Sequence, residues 1–207
     1  IFLTDNGSTH GPRYFNAGMR GGKTELWDGG HRVPCFISWP QGELDSPQDI
    51  DGLTQVQDLL PTLVDLCELN TKAKFSGTSL APILRGKANV PEDRTLIINY
   101  SRMPNFVNYP TPFAQSIMTR DQAAVLWKRW RLLEDRELYN LESDPLQKTN
   151  VIDVHPVVVR KMRGELYRWW DEVGPNANVP QRVVIGSDHE NPSRLTACEW
   201  LDVFVDQ

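Results

Sequence analysis

The chain is 207 residues long, enough for one domain or two small ones with a substantial core. It carries 22 Lys and Arg against 27 Asp and Glu, a net charge of −5, which argues against a nucleic-acid groove but not against a small anion held by one local cation. No apolar run approaches the roughly 20 residues of a membrane-spanning helix; Cys35, Cys67 and Cys198 form no CxxC pair, which argues against a zinc site, and their odd number gives no disulfide framework and leaves the redox compartment open.

The first three residues, Ile-Phe-Leu, read as the end of a strand that runs straight into Thr4-Asp5-Asn6-Gly7. The chain therefore reads as a segment of something longer. From Thr4 to Arg32 it is rich in Gly and polar residues without a clean period, the signature of a long functional loop. Arg32 to Pro40, RVPCFISWP, reads as a short buried strand bounded by prolines, and residues 41–52 as a solvated loop. A helix is expected over Asp58 to Glu68, with Asp58 as cap and Pro61 in the first turn. Leu60, Leu63, Val64 and Cys67 would form its apolar stripe. Ser79 to Gly86 reads as a second, short helix ending at Gly86, followed by a polar linker at Lys87 to Arg94.

Beyond the linker, TLIINY, FAQSIMT, AAVLWKRWRLL and RELYNL are short apolar runs separated by polar turns, as in a small antiparallel sheet. A Pro-rich loop, SRMPNFVNYPTP, separates the first two. Val158, Met162, Leu166, Trp169, Trp170 and Val173 mark one face of a helix expected to stop at Gly174-Pro175. The tail holds two more β-like pieces, RVVIG and LDVFVD. The organisation expected is 1–93 as part of an α/β catalytic domain, 94–178 as a small antiparallel sheet packed on a helix, and 179–207 as the start of an extra β segment.

The chemistry concentrates near the N-terminus. Asp5 offers a carboxylate and Asn6 a carbonyl oxygen, adjacent at a strand end, where both can turn toward a hard cation. Gly7 permits the tight backbone that aims them. After two glycines comes Lys23, placed to approach an anion closely, and then Asp28-Gly29-Gly30-His31-Arg32-Val33-Pro34 leads into the next strand. Each piece alone reads as an ordinary turn. Their order is the informative part: strand, Asp-Asn-Gly, Gly-rich loop, Lys, Asp-Gly-Gly-x-Arg-Val-Pro, strand.

That order resembles the C-terminal portion of a sulfatase of the arylsulfatase type, within the alkaline-phosphatase-like superfamily. LTDNG matches the family's second metal-binding motif, and GGKTELWDGGHRVPCFISWP its Gly-x-Lys and (Glu/Asp)-Gly-Gly-x-Arg-Val-Pro run. DLLPTLVDLCEL, GTSLAPILRG and KRWRLL…RELYNLESDPLQKTNV match three later segments in the same order. The resemblance departs at the nucleophile. The family makes a formylglycine from the first residue of Cys/Ser-x-Pro-x-Arg, and Glu190 occupies that place before Pro192 and Arg194 here. The formylglycine and the family's other metal-binding carboxylates are expected upstream of Ile1, so the chain alone is expected to be inactive.

By resemblance, Asp5 and Asn6 are ligands of Ca2+, with Mg2+ the alternative. Lys23 is the catalytic cationic contact to a sulfate oxygen or to the nucleophile, and His10 in the same loop a substrate contact near the leaving group. Arg20 is a further candidate for the substrate mouth, and Ser101 and Arg102 for specificity. His31 is read as a packing residue, Arg32 as a structural ion-pair partner, and Trp127, Trp130, Trp169 and Trp170 as core. The implied activity is hydrolysis of sulfate esters of a carbohydrate or aryl alcohol, with a periplasmic or extracellular location as for bacterial relatives. Two alternatives stay open: a phosphonate or phosphate ester hydrolase of the same superfamily, and a non-catalytic domain that binds sulfated glycans.

Overall fold

The computed structural model describes residues 1–42, 44, 47–100 and 117–179. Strand β1 (Phe2–Leu3) pairs antiparallel with β2 (Cys35–Phe36), placing Phe2 opposite Phe36 and Leu3 opposite Cys35. The loop between them holds two single-turn helices, α1 (Gly11–Tyr14) and α2 (Asp28–His31). The strand expected over Arg32 to Pro40 is shorter and less buried than its composition suggested: both residues of β2 are exposed, and Ile37 and Trp39, partly buried, pack against Leu44, Leu66 and Ala81.

Helix α3 (Leu59–Leu66) forms where expected, but with a different inner face. Leu60, Leu63 and Cys67 are exposed, whereas Pro61, Thr62 and Leu66 are buried. Asp58 does not cap this helix with its side chain. A short 3-10 turn, Val56–Asp58, precedes the helix, and the fully buried Asp58 carboxylate is drawn inward by stronger partners. It accepts from the Gln55 amide at 2.8 Å, the Thr78 amide at 2.9 Å and Arg94 Nη2 at 2.6 Å. Helix α4 (Ala81–Leu84) follows, and the chain leaves it through Gly86 at φ +65°, a left-handed turn that Gly adopts without strain.

The second half is a four-stranded antiparallel meander in the order β3 (Thr95–Asn99), β4 (Ala123–Trp127), β5 (Trp130–Leu133), β6 (Glu137–Asn140). The run AAVLWKRWRLL is a hairpin rather than one strand. Lys128 and Arg129, polar and flanked by apolar runs, form its turn, with Trp127 paired to Trp130. Residues on the sheet alternate strictly between two cores. Ala123, Val125, Trp130, Leu132 and Leu138 face helix α5 (Pro156–Ala177) and its Val159, Met162 and Leu166. Leu96, Ala124, Leu126, Leu133 and Tyr139 face the other way, onto Leu26 and Trp27 of the N-terminal loop. The small sheet is thus covered on both sides, and one of its covers is the loop that carries the candidate chemistry.

Helix α5 does not stop at Gly174-Pro175 but runs through to Ala177. Pro175 lies in the last turn, where its missing N–H deprives a single carbonyl of a partner. FAQSIMT for the most part, the Pro-rich loop with Ser101 and Arg102, and the tail pieces RVVIG and LDVFVD lie outside the described residues. Among the described residues no helix is long and apolar enough to cross a membrane.

Candidate functional site

The site is built by interlocking backbone. The Gly7 amide donates to the Gly30 carbonyl at 2.9 Å, and the Lys23 amide to the Ser8 carbonyl at 3.3 Å. These two bonds lay the Asp-Asn-Gly segment against both ends of the Gly-Gly-Lys to Asp-Gly-Gly loop. Gly7 and Gly30 are required by close approach rather than by unusual dihedrals. A Cβ on Gly7 would lie 1.8 Å from the Gly29 oxygen, and one on Gly30 would lie 2.0 Å from the Glu25 oxygen.

Asp5 is exposed, and its Oδ2 accepts from Asn6 Nδ2 at 2.7 Å. That contact turns the two side chains together, and the remaining acceptors, Asp5 Oδ1 and Asn6 Oδ1, are the hard oxygens that calcium or magnesium selects. The pair fits such a cation in donor type. In number it falls short, because hard cations take six or more oxygens and no group of three or more His, Cys, Asp or Glu among the described residues is arranged for a metal. Lys23 is exposed on the same loop cluster. His10 is also exposed and precedes α1, whose entry is fixed by Ser8: its Oγ accepts from the His10 amide at 3.1 Å and the Gly11 amide at 2.8 Å.

The neighbouring candidates have structural employment. His31 donates from Nε2 to the Leu26 carbonyl at 3.1 Å, which fixes the Nε2–H tautomer. Burial holds its pKa below the usual histidine value, against the opposing pull of Asp28. Arg32 stands 3.9 Å from Asp28 with its side chain largely exposed, a weak pair. Arg20 lies over the Trp27 ring at 4.0 Å and donates to the Gln147 carbonyl at 2.5 Å and the Tyr139 hydroxyl at 3.4 Å. It also borders an open cleft of ≈ 420 Å³ with Gly18, Met19, Leu146 and Lys148.

Asn16, Arg131 and Gln147, which organise the site, escaped the sequence reading. Asn16 Nδ2 donates to the carbonyls of Met19 at 2.9 Å and Gly21 at 2.7 Å, shaping the loop ahead of Lys23. Buried Asp28 accepts from Arg131 Nε at 3.1 Å, and its amide donates to Gln147 Oε1 at 3.0 Å. Arg131 did leave a signal. The period-two pattern of WRLL puts it on the same inward face as Leu133, and a charge on an apolar face needs a buried partner.

Comparison with known proteins agrees with this architecture. Over 207 aligned residues the chain is 27% identical to the uncharacterized sulfatase YdeN of Escherichia coli strain K12, covering 84% of this chain and 36% of that protein. It is 31% identical over 139 residues to the steryl-sulfatase of Mus musculus, covering 62% of this chain and 20% of that protein. The chain thus spans about a third or less of the length of these relatives. In fold it superimposes on the crystal structure of Ps i-CgsB in complex with k-i-k-neocarrahexaose with a TM-score of 0.64 at 21% identity, covering 84% of this chain and 37% of the other. Residues 22–171 match the family model of the N-sulphoglucosamine sulphohydrolase C-terminal region. That match takes in Lys23, the Asp-Gly-Gly turn, the sheet and most of α5, and it makes this chain a member of that sulfatase family.

Proposed function

We propose that this chain supplies the cation- and anion-binding loops of a sulfuric ester hydrolase acting on sulfate esters of a carbohydrate or aryl alcohol. The observation that carries the reading is the pair of backbone bonds, Gly7 to Gly30 and Lys23 to Ser8, that gathers Asp5, Asn6 and Lys23 into one loop cluster of a sulfatase-family chain. Asp5 and Asn6 would each give one oxygen to Ca2+, or to Mg2+ as the alternative. The bound cation would supply Lewis-acid polarisation of the sulfate. Lys23 offers a compact positive charge to an anionic sulfate oxygen or to the nucleophile. His10, exposed at the edge of the same cluster, is the candidate contact to the substrate beside the leaving group.

A carbohydrate substrate gains support from the neocarrahexaose named with the similar structure, and an aryl or steryl alcohol from the similarity to steryl-sulfatase. The 207-residue chain taken alone is expected to bind calcium weakly and to leave an aryl sulfate intact, because two oxygen donors fall well short of the six or more that hard cations take. The test is to assay the full-length protein on matched aryl sulfate and aryl phosphate esters, with and without calcium. Calcium-dependent preference for the sulfate supports the reading. Preference for the phosphate overturns it, and so does binding of sulfated polysaccharide without turnover of either ester.

A further inference from the structure

The small sheet is tied to the candidate site by a buried polar circuit rather than by apolar contact alone. Arg131, in β5, donates from Nε to the Asp28 carboxylate at 3.1 Å, and the two side chains are 9% and 3% exposed. Gln147, fully buried in the turn after β6, accepts from the Asp28 amide through Oε1 at 3.0 Å. The Gln147 carbonyl accepts from Arg20 at 2.5 Å, and the Arg20 carbonyl accepts from the Gly29 amide at 2.8 Å. The circuit therefore closes on Asp28-Gly29. One residue on, the Gly30 carbonyl accepts both from the Gly7 amide at 2.9 Å and from the Tyr100 hydroxyl at 3.2 Å, at the end of β3. An unbroken path of direct bonds leads from β5 through Asp28 to the Asp5-Asn6-Gly7 segment.

A buried ion pair is a poor device for stability, since apolar side chains of similar volume commonly do as well or better. What it does supply is register: an Asp28 carboxylate that leaves Arg131 has no solvent to receive it. We propose that Arg131 and Gln147 are positioning residues, through which the small sheet fixes the Asp28-Gly29-Gly30 turn and thereby the placement of Asp5, Asn6 and Lys23. The proposal rests on the functional reading above only for its effect on turnover. Its effect on loop order stands independently.

The test uses Arg131→Met, Arg131→Lys, Gln147→Met and Tyr100→Phe in the full-length protein. Thermal melts, amide hydrogen exchange and steady-state kinetics are read together. With the fold intact, exchange at Gly7, Lys23 and Gly29 should accelerate about tenfold or more, while Val125 and Leu132 in the sheet stay protected. In the same variants kcat should fall by about 10–100-fold with KM little changed, the scale expected when reacting groups are displaced by about 1 Å. Arg131→Lys, which keeps a cation near Asp28, should recover part of both losses. If Arg131→Met fails to fold, Gln147→Met and Tyr100→Phe, each deleting one hydrogen bond of the path, decide the matter. Wild-type exchange at Gly7 and Lys23 in those folded variants overturns the proposal. Faster exchange with Lys23→Ala fully active would instead retain the positioning role and reject the catalytic reading of Lys23.

Discussion

Gly7 donates its amide to the Gly30 carbonyl at 2.9 Å, so that two short glycine motifs more than twenty residues apart in sequence meet backbone to backbone. A methyl group at Gly7 would sit 1.8 Å from the Gly29 oxygen. Gly7→Ala must therefore push the Asp5-Asn6 segment off the Asp-Gly-Gly turn. The expected cost is on the order of 3 kcal/mol, as for an overpacked interior. Urea melts against wild type measure it, and a change below about 0.5 kcal/mol, typical of a neutral surface site, would mean that the turn yields freely.

Asp58 and Arg94 make the second sharp case. The carboxylate is fully buried, and Arg94 is its only cationic partner among the described residues, at 2.6 Å. Arg94→Met leaves Asp58 with its two amide donors but no countercharge, and should destabilise by about 3–5 kcal/mol. Asp58→Asn/Arg94→Met should restore much of that loss, because the neutral amide needs no cation. Denaturant titration of both variants checks the pair. Equal destabilisation in the single and double variants would show that the charge is not what the site requires.

His31 sets a pH dependence with a defined sign. Its native pKa is lowered, chiefly by burial, while in the unfolded chain it titrates near 6.5. Below about pH 6.5 the unfolded state therefore binds the proton first, and stability contributed by neutral His31 is lost as pH falls through the lowered native value. Above that window the contribution is complete. His31→Gln keeps a donor for the Leu26 carbonyl and removes the titration, so its melting temperature should fall less steeply than wild type between about pH 7 and pH 5. Parallel Tm–pH curves for the two proteins would remove His31 from the acid response.

Much of this arrangement was legible in the sequence because it rests on local signals. The order Asp-Asn-Gly, Gly-rich loop, Lys, Asp-Gly-Gly marked the loop that carries the candidate chemistry, and short apolar runs separated by polar turns marked the sheet. The helix around Leu59 to Leu66 was legible as a helix but not in its orientation. Leu60, Leu63 and Cys67 looked like its core stripe, yet the buried face is set by Thr62, whose hydroxyl accepts from the Leu80 amide at 2.8 Å. A hydrogen bond between residues so far apart leaves no periodic trace. Asp58 misled for the same reason: an acid at a helix start is usually a cap, and only the tertiary approach of Thr78 and Arg94 draws it inward. Arg131 was readable in principle, as a charge on the apolar face of a strand, but its partner Asp28 is 103 residues away.

The central claim, that Asp5, Asn6 and Lys23 form the ion-binding face of a sulfate ester site, is tested most directly by steady-state kinetics of Lys23→Ala in the full-length protein. Asp5→Ala and His31→Ala are run beside it, and each variant is checked by thermal melt. Lys23→Ala should fold normally and lose about 10²–10³ in kcat/KM, the loss that follows removal of one preorganised charge-stabilising donor. Asp5→Ala should lose more, through the metal ligand it removes, and His31→Ala should lose mainly stability, about 1 kcal/mol. A well-folded Lys23→Ala with wild-type kcat/KM, beside a well-folded His31→Ala without turnover, would contradict the account.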